Sequence, residues 1–311
     1  MKRQAAKVLA IMVPLLAAAV LLGWQLTKPA APAPARSGVC LARCHYVGAL
    51  LTVVGQDPVN NFKKVTGLTP GIVENWQPFG QPFPSSWAGT LLAQGILPLI
   101  QLNPRLVTLG DIAAGRYDSY LSQYAAAVRA LGAPVGLSFG HEMNGSWNPW
   151  GYRHVPPGVF VAAWRHIHQV FAVAWARQVI WVWTVCRLTP GDPRVGPALR
   201  PWWPGRAYVN WVGLNIYYFS PQVTFRREFL PSITAVRSFT HEPILLTETA
   251  VPNQSGQVRQ IADLFAGARA SHLLGIIWFN QDVLHTWQLD KSRPAAVAAF
   301  RRGAAGMLAP G

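Results

Sequence analysis

Acidic side chains are scarce in this sequence. Its 311 residues include only 12 Asp and Glu against 27 Lys and Arg, which gives a formal net charge of +15. An excess of this size would favour nucleic acid binding if the basic residues were clustered. They are instead spread through the chain without a recognition motif, so we expect no nucleic acid partner. The scarcity also makes the position of each carboxylate informative.

Cysteine is scarcer still, with three residues in the whole chain. Cys40 and Cys44 are close enough in sequence for a small local disulfide, which would leave Cys186 free. A metal site lacks support, because neither a CxxC nor an HxxxH pattern is present. No Gly-rich phosphate loop follows the first predicted strand either. The sequence therefore predicts no metal and no cofactor.

A long uncharged apolar run occurs near the N-terminus, over residues 8–24, and three basic residues precede it. This pattern is typical of signal peptides and signal anchors. We predict a signal peptide or signal anchor over residues 1–28, a Pro/Ala-rich linker over residues 29–39 and one domain over residues 40–311. The domain would be extracytoplasmic and monomeric. It would be either secreted or tethered to the membrane through residues 8–24, and we favour the tethered form.

Beyond the linker, apolar runs alternate with amphipathic stretches, and 51% of the chain is hydrophobic. Near-continuous apolar strands separated by helices are typical of a parallel sheet buried on both faces. Eight such strands over roughly 270 residues favour a closed (β/α)8 TIM barrel of the α/β class, in a single domain, over an open doubly wound sheet. The predicted strands are 46–53, 71–76, 96–101, 135–140, 179–185, 209–217, 243–247 and 275–279, and the predicted helices include 117–131, 157–174, 225–239, 256–270 and 294–308.

Two of the few carboxylates end apolar strands. Glu142 follows the fourth predicted strand, and Glu248 ends the seventh. Catalytic residues of such barrels lie at the carboxyl ends of the strands, so both side chains are expected at one face. Paired carboxylates ringed by tryptophan are what glycosidic bond cleavage requires. A lone Glu after a strand is otherwise commonly a helix cap or half of an ion pair, and Glu74 is open to that interpretation.

The segment around Glu142 reads FGHEMNGSWNPWGY and closely resembles the acid/base motif of glycoside hydrolase family 26, the β-mannanase family. Further segments, in the same order, resemble the sixth-strand motif of the family (WPGRAYVNWVGLNIY), its nucleophile strand (LLTETA) and its eighth strand (GIIWFN). The resemblance covers about residues 45–300. It implies a retaining endo-β-glycanase that hydrolyses β-mannan or a related β-linked polysaccharide.

Carried over residue by residue, the resemblance implies that Glu142 is the general acid/base and Glu248 the nucleophile. His141 would bond to the catalytic carboxylates and orient them. Tyr217 would hydrogen-bond Glu248, which stabilises the ionised form of that carboxylate. All four residues follow or end predicted strands, where a barrel places its active site.

Indole rings offer flat faces on which the apolar C–H face of a pyranose can stack. The resemblance implies that Trp147 and Trp278 pack against the sugar in the cleaved subsite. Trp150 and Trp76 lie at or after predicted strand ends and are further candidates, with core packing as the alternative, because tryptophan is usually largely buried. Asn144, in the loop after the fourth strand, is also assigned to substrate binding.

The sequence departs from the family pattern near the expected sugar subsites. Asn210 and Asn215 stand where the sixth-strand motif commonly has aspartates, and the third strand ends in Gln101-Leu102-Asn103 without the usual carboxylate or aromatic. Two alternatives therefore stay open: a β-glucanase, xylanase or envelope-polysaccharide hydrolase on the same scaffold, and a catalytically silent carbohydrate-binding barrel. The glutamate pair argues against the binder, which has no need of a proton donor paired with a nucleophile.

Overall fold

Eight parallel strands form a closed ring in the computed structural model, which describes residues 45–51, 57–283 and 285–309. Neighbouring strands pair in chain order, and β1 closes the ring by pairing with β8. The predicted (β/α)8 barrel is therefore confirmed. The predicted signal or anchor segment, the linker and the Cys40–Cys44 bond lie outside the described residues. The strands are β1 (Tyr46–Leu50), β2 (Ile72–Pro78), β3 (Leu97–Asn103), β4 (Val135–Phe139), β5 (Val179–Cys186), β6 (Trp211–Asn215), β7 (Ile244–Thr249) and β8 (Gly275–Phe279).

Helices connect the strands and cover the outside of the barrel. The predicted helix over residues 225–239 is two helices, because Pro231 lacks the amide proton that would continue the helical ladder. Three short helices before residue 114 carry too little periodicity to be predicted. The helices are α1 (Pro58–Thr66), α2 (Ser85–Leu92), α3 (Leu109–Ala113), α4 (Asp118–Leu131), α5 (Pro157–Val173), α6 (Phe225–Glu228), α7 (Leu230–Arg237), α8 (Gln257–Ala270) and α9 (Pro294–Leu308). None of these is long and apolar enough to cross a bilayer.

The apolar core lies between the strands and the helices, and aromatic rings fill much of it. Phe139 of β4 stacks on Phe160 of α5 with ring centroids 6.3 Å apart. Trp181 of β5 meets Trp164 of α5 edge to face at 6.0 Å. Burial of such rings is the main driving force that holds each helix on the barrel.

Hydroxyl groups, by contrast, meet inside the ring of strands. Ser138 Oγ donates to Thr184 Oγ1 at 2.9 Å. Gly213 of β6 has no side chain in this region, and a Cβ there would lie 2.4 Å from Thr184 Oγ1 and 2.8 Å from Thr247 Oγ1. The glycine is required by this close approach. The barrel interior is therefore polar below the carboxyl ends of the strands.

Candidate active site

Glu142 lies just beyond β4 in a left-handed backbone conformation, with φ 55°. This conformation costs a residue other than glycine about 1–3 kcal/mol. The Glu142 amide donates to the Thr184 carbonyl on β5 at 2.9 Å, which holds the turn in place. Gly140 also has φ 55°, and an added Cβ would lie 3.1 Å from Phe160 and 3.2 Å from Trp150. The packed Gly140–Glu142 turn thus fixes where the carboxylate leaves the strand.

Two side chains hold the Glu142 carboxylate. Trp147 Nε1 donates to Oε2 at 2.6 Å, and Asn215 Nδ2 donates to Oε1 at 2.9 Å. Asn215 is also the sheet partner of Glu248 in the β6–β7 register, and its Oδ1 accepts a bond from the Thr247 hydroxyl at 2.7 Å. Asn215 thus bonds Glu142 through its side chain and lies beside Glu248 in the sheet, so the fold brings both predicted glutamates to the same mouth of the barrel.

Glu248 of β7 is almost fully buried, with 3% of its surface exposed. Trp76 Nε1 on β2 donates to Oε1 at 3.0 Å. The Tyr217 hydroxyl donates to Oε2 at 2.6 Å, the bond that the family resemblance implies. Trp76 is thus positioned by a bond to a carboxylate, in addition to any contact with sugar.

The two carboxyl groups titrate as a pair. Burial raises the pKa of Glu142, and bonds from Asn215 and Trp147 partly offset that effect. Burial also raises the pKa of Glu248, and the charge of Glu142 raises it further, against the bonds from Tyr217 and Trp76. Because each negative charge disfavours the other, the pair holds one proton between its two titration steps. One group is then an acid while the other is an anion.

A third carboxyl, that of Glu74 on β2, reaches the same site. It is fully buried, and Gln101 Nε2 donates to its Oε1 at 2.8 Å. Burial raises the pKa of Glu74 well above its usual range, and the charge of Glu248 raises it further. Glu74 therefore keeps its proton, and its buried Oε2, which has no hydrogen-bond partner among the described residues, is the atom that can donate toward Glu248. Glu74 is neither a helix cap nor half of an ion pair; its spacing of two residues from Trp76 on one strand is the sequence signal that could have identified it.

The Glu74 proton can be tested by a matched pair of substitutions. Glu74→Gln should keep at least about a tenth of the wild-type kcat, because the neutral amide still donates to Glu248. Glu74→Leu removes the donor, so the pKa of Glu248 rises and the acidic limb of the kcat/KM profile moves to higher pH. The measurement is the pH–rate profile of each variant. A Gln variant as impaired as the Leu variant would show that Glu74 acts as an anion instead.

His141 is half-buried beside the site but bonds elsewhere. Its Nδ1 lies 2.8 Å from Asn103 Oδ1, and its ring is parallel to that of Trp76, with centroids 6.4 Å apart. Burial, with a smaller contribution from the charge of Arg105, lowers the pKa of His141 to about 4, so the ring is neutral. The prediction that His141 bonds to the catalytic carboxylates is wrong. It acts through packing on Trp76, which in turn donates to Glu248.

Trp278 does not reach the mouth of the barrel, and the prediction that it contacts sugar is wrong. Its side chain is fully buried, Nε1 donates to the Trp287 carbonyl at 3.0 Å, and the ring meets Phe300 of α9 at 5.4 Å. Neighbouring residues of a strand face opposite sides. Phe279 accordingly faces the site, with its ring 5.8 Å from that of Trp76. The sequence did not show which residues of β8 face the site and which face the helices.

Trp150 and Asn144 are buried and position the catalytic loop, so their predicted contact with substrate is wrong as well. Trp150 Nε1 donates to the His141 carbonyl at 2.8 Å. The Asn144 amide bonds both backbone groups of Cys186, with Nδ2 to O at 3.0 Å and N to Oδ1 at 2.9 Å. These bonds join the loop after β4 to the end of β5. They supply partners for backbone groups that would otherwise be buried alone.

Trp147 is the predicted sugar-binding residue with an open face, with 48% of its surface exposed. Its ring lies against Gly145, where a Cβ would come within 2.4 Å of the indole. The glycine and the Nε1 bond to Glu142 together fix the plane of the ring. A flat, partly exposed ring bonded to one catalytic carboxylate has the geometry of a sugar platform.

We expect Trp147→Phe to move the alkaline limb of the kcat/KM profile to higher pH, by about one unit. The indole N–H stabilises the ionised form of Glu142, so its loss raises the pKa of that carboxyl. The remaining phenyl ring still offers a flat face. The control is Trp175→Phe, which changes an exposed tryptophan in the loop between α5 and β5, at the end of the barrel where the strands begin. An alkaline limb that stays in place would contradict the contribution of this bond.

The remaining His, Cys, Asp and Glu side chains are the groups that could bind a metal or supply a reactive thiol. No cluster of three or more His, Cys, Asp or Glu with metal-binding geometry occurs in the part of the chain that the structure describes. The Cys186 thiol is buried, and burial followed by the charge of Glu142 raises its pKa well above the usual range. A thiol in that state is a poor nucleophile.

Comparisons with known proteins agree with this geometry. The model of the family described as glycosyl hydrolase family 26 matches residues 112–257, which include both Glu142 and Glu248. In sequence the chain is similar to endoglucanase H of Acetivibrio thermocellus, with 27% identity over 268 residues that cover 80% of this chain and 29% of the relative. It is also similar to the beta-1,3-xylanase TXYA of a Vibrio species, with 24% identity over 73% of this chain and 50% of the relative. The chain spans at most half the length of these two relatives.

Solved structures of the same fold include two mannanases. A family 26 β-mannanase from Bacteroides ovatus superimposes with a TM-score of 0.66 at 16% identity and covers 85% of this chain and 89% of its own. A Cellulomonas fimi endo-β-1,4-mannanase double mutant gives 0.67 at 18% identity and covers 84% of this chain and 70% of its own. Likeness at this identity concerns the fold. The family model spans both carboxylates of the site, so the chain is similar to glycosyl hydrolase family 26 in sequence around the site and shares the fold of its mannanases.

Proposed function

We propose that this protein is a retaining endo-β-glycanase that hydrolyses β-mannan or a related β-linked polysaccharide. The observation that carries the proposal is the pair of carboxyls at one mouth of the barrel, the half-buried Glu142 and the buried Glu248, with Asn215 bonded to the first and paired in the sheet with the second. Each carboxyl also accepts a bond from an indole N–H, so each is fixed by its own tryptophan. Two positioned carboxyls that share a proton are the minimum machinery of retaining glycoside hydrolysis.

In the first step Glu248 attacks the anomeric carbon while the protonated Glu142 gives its proton to the leaving oxygen. Two carboxylates about 5 Å apart repel by about 3 kcal/mol at an effective dielectric near 20. This repulsion corresponds to roughly two pKa units on the group that ionises second. The negative charge of Glu248 therefore helps to keep the proton on Glu142.

The second step uses the same electrostatic coupling in reverse. Once Glu248 has formed the glycosyl ester it carries no negative charge, so the pKa of Glu142 falls. Glu142 has already lost its proton to the leaving group and can now accept one from the attacking water. Tyr217 and Trp76 donate to Glu248 and so stabilise the anion that departs when the ester is hydrolysed, and the protonated Glu74 lowers the pKa of Glu248 in the same direction.

The second candidate substrate is a β-glucan or a β-xylan, and it has specific support. The relatives that match in sequence are named an endoglucanase and a beta-1,3-xylanase, whereas the two structural relatives above are mannanases. Asn215 bonds Glu142 from the position where the sixth-strand motif of the family commonly has an aspartate. An amide there changes the charge close to the cleaved sugar while the carboxyl pair stays intact.

We also propose that the enzyme acts outside the cytoplasm, as a monomer. The proposal is supported by the basic residues and the apolar run of the N-terminal 28 residues, which have the pattern of a signal peptide or signal anchor. Fractionation of cells that express the full chain, followed by detection of the N-terminal peptide, distinguishes the secreted form from the tethered form. Full-length protein confined to the cytoplasm would overturn the proposal.

A panel of polysaccharides tests the proposed activity. The full chain and its Glu248→Ala variant are incubated with β-1,4-mannan, mixed-linkage β-glucan, β-1,4-xylan and β-1,3-xylan, and the released reducing ends are sized. We expect internal cleavage of β-mannan, with products first formed in the β configuration by NMR. Cleavage of a glucan or a xylan alone would favour the second candidate. Binding of a polymer without cleavage would show that the protein is a catalytically silent carbohydrate-binding barrel.

A further inference from the structure

The charge of the barrel is distributed unequally between its two ends. At the end where strands begin and helices finish, opposite the catalytic mouth, the described residues include one carboxylate, Glu242, which is bonded by Arg206 Nε at 3.1 Å. The other carboxylates lie along the barrel, inside it or at the mouth. Basic residues occupy the last turns of four helices and two of the loops that lead into strands. This surface, called the basal face below, carries Lys63, Lys64, Arg129, Arg177, Arg206, Arg237 and Arg269.

Large apolar side chains are exposed on the same face. Trp175, in the loop between α5 and β5, is 61% exposed, Val173 at the end of α5 is 74% exposed, and Leu308 at the end of α9 is 46% exposed. Trp175 also has a left-handed backbone with φ 59°, and the Arg177 guanidinium lies over its ring at 4.0 Å. An exposed indole beside arginine is the composition found where proteins meet the headgroup region of a membrane.

The polypeptide that precedes the barrel joins it at this face, because β1 begins there at Tyr46. In the sequence, residues 25–45 connect β1 to the apolar run of residues 8–24. If that run is held in a bilayer, the connection ends at the basal face of the barrel and not at the catalytic mouth. The basal face thus combines positive charge, exposed indole and the attachment point of an apolar segment.

We propose that the basal face docks on the surface of an anionic phospholipid bilayer. The basic residues would face the anionic headgroups, and Trp175 would lie among them. Such attraction adds up over the basic residues near the surface and is screened by salt within about a Debye length. The catalytic mouth then opens away from the membrane, toward polymer around the cell. Docking does not depend on the identity of the polysaccharide, or on catalysis.

Tryptophan quenching by brominated lipid tests the docking directly. The full chain is reconstituted in vesicles of phosphatidylcholine, with or without about 30 mol% phosphatidylglycerol, and with brominated acyl chains as quencher. The signal of Trp175 is the difference between the wild type and Trp175→Phe, so quenching of Trp24 in the apolar run cancels. We expect quenching of Trp175 in the anionic vesicles and little in the neutral ones. Trp147→Phe, at the catalytic mouth, should show no lipid-dependent difference.

Charge reversals at the two ends give the matched control. Arg129→Glu with Arg177→Glu should lower the Trp175 quenching by about tenfold or more, as should high salt. Arg226→Glu with Arg227→Glu makes the same change in net charge on α6, near the catalytic mouth, and should leave the quenching unchanged. Equal quenching in neutral and anionic vesicles would overturn the proposal. So would displacement of the face from anionic vesicles by duplex DNA at equal charge, which would assign the face to nucleic acid.

Discussion

Glu248→Ala is expected to lower kcat/KM on an aryl β-glycoside by about 10⁴-fold or more, because the attacking carboxylate is lost. The alanine leaves a space bordered by Trp76 and the Tyr217 hydroxyl, whose donors then face no anion. A small anion such as azide can occupy this space and attack the anomeric carbon from the same side. Azide should therefore restore turnover and give a glycosyl azide of inverted, α configuration.

Glu248→Gln is the matched control for this experiment. The amide fills the space of the carboxylate, so the variant should be inactive and azide should restore little. Measurements are initial rates with and without azide, together with the NMR spectrum of the product. An alanine variant with wild-type activity would show that Glu248 is not the nucleophile. A glycosyl azide of β configuration from the alanine variant would also show that Glu248 is not the nucleophile.

Glu142→Ala is expected to show a loss that depends on the leaving group. Removal of a general acid costs about 10² to 10⁴-fold when the leaving oxygen needs a proton, as it does in a polysaccharide. A dinitrophenolate leaves without protonation, so with that substrate the first step stays fast and hydrolysis of the glycosyl ester limits the rate. Azide, which needs no general base, should accelerate the second step and give a product of retained, β configuration.

The opposite configurations of the two azide products separate the roles of the two residues. Loss of the alkaline limb of the pH–rate profile in Glu142→Ala is a second signature, because the proton of that carboxyl is then absent from the reaction. The control is Trp147→Phe, which keeps Glu142 and only moves that limb. An equal loss on the polysaccharide and on the dinitrophenyl glycoside would contradict the assignment of Glu142 as the acid.

Much of the barrel could be predicted, because its signals are local. A buried parallel strand is a short apolar run, and eight such runs separated by amphipathic stretches leave few architectures open. The predicted strands agree with the observed ones to within a few residues. The prediction of one continuous helix over residues 225–239 was wrong, because Pro231 interrupts the helical hydrogen bonds while the apolar pattern continues past it.

The candidate site could be predicted only in part. Glu142, Glu248 and Tyr217 were accessible because each follows or ends an apolar run, and the motif around Glu142 is long. Trp278 was misassigned because a residue at a strand end faces either the mouth or the helices, and Trp150 because a residue of a long loop can fold back under it. Glu74 and Asn215 were missed as parts of the site because their partners lie on other strands, more than 25 residues away in the chain.

By itself the sequence determined the closed barrel, the presence of two carboxylates at strand ends and the resemblance to glycosyl hydrolase family 26, since all of these depend on residue types at short spacing. Only the tertiary structure decided which side chains face the mouth, which third carboxyl keeps its proton beside the pair and which charges share one end of the molecule. Those properties depend on the phase of each strand and on contacts between distant segments. Hydrogen bonding, burial and electrostatic interaction act through space, and distance along the chain does not specify them.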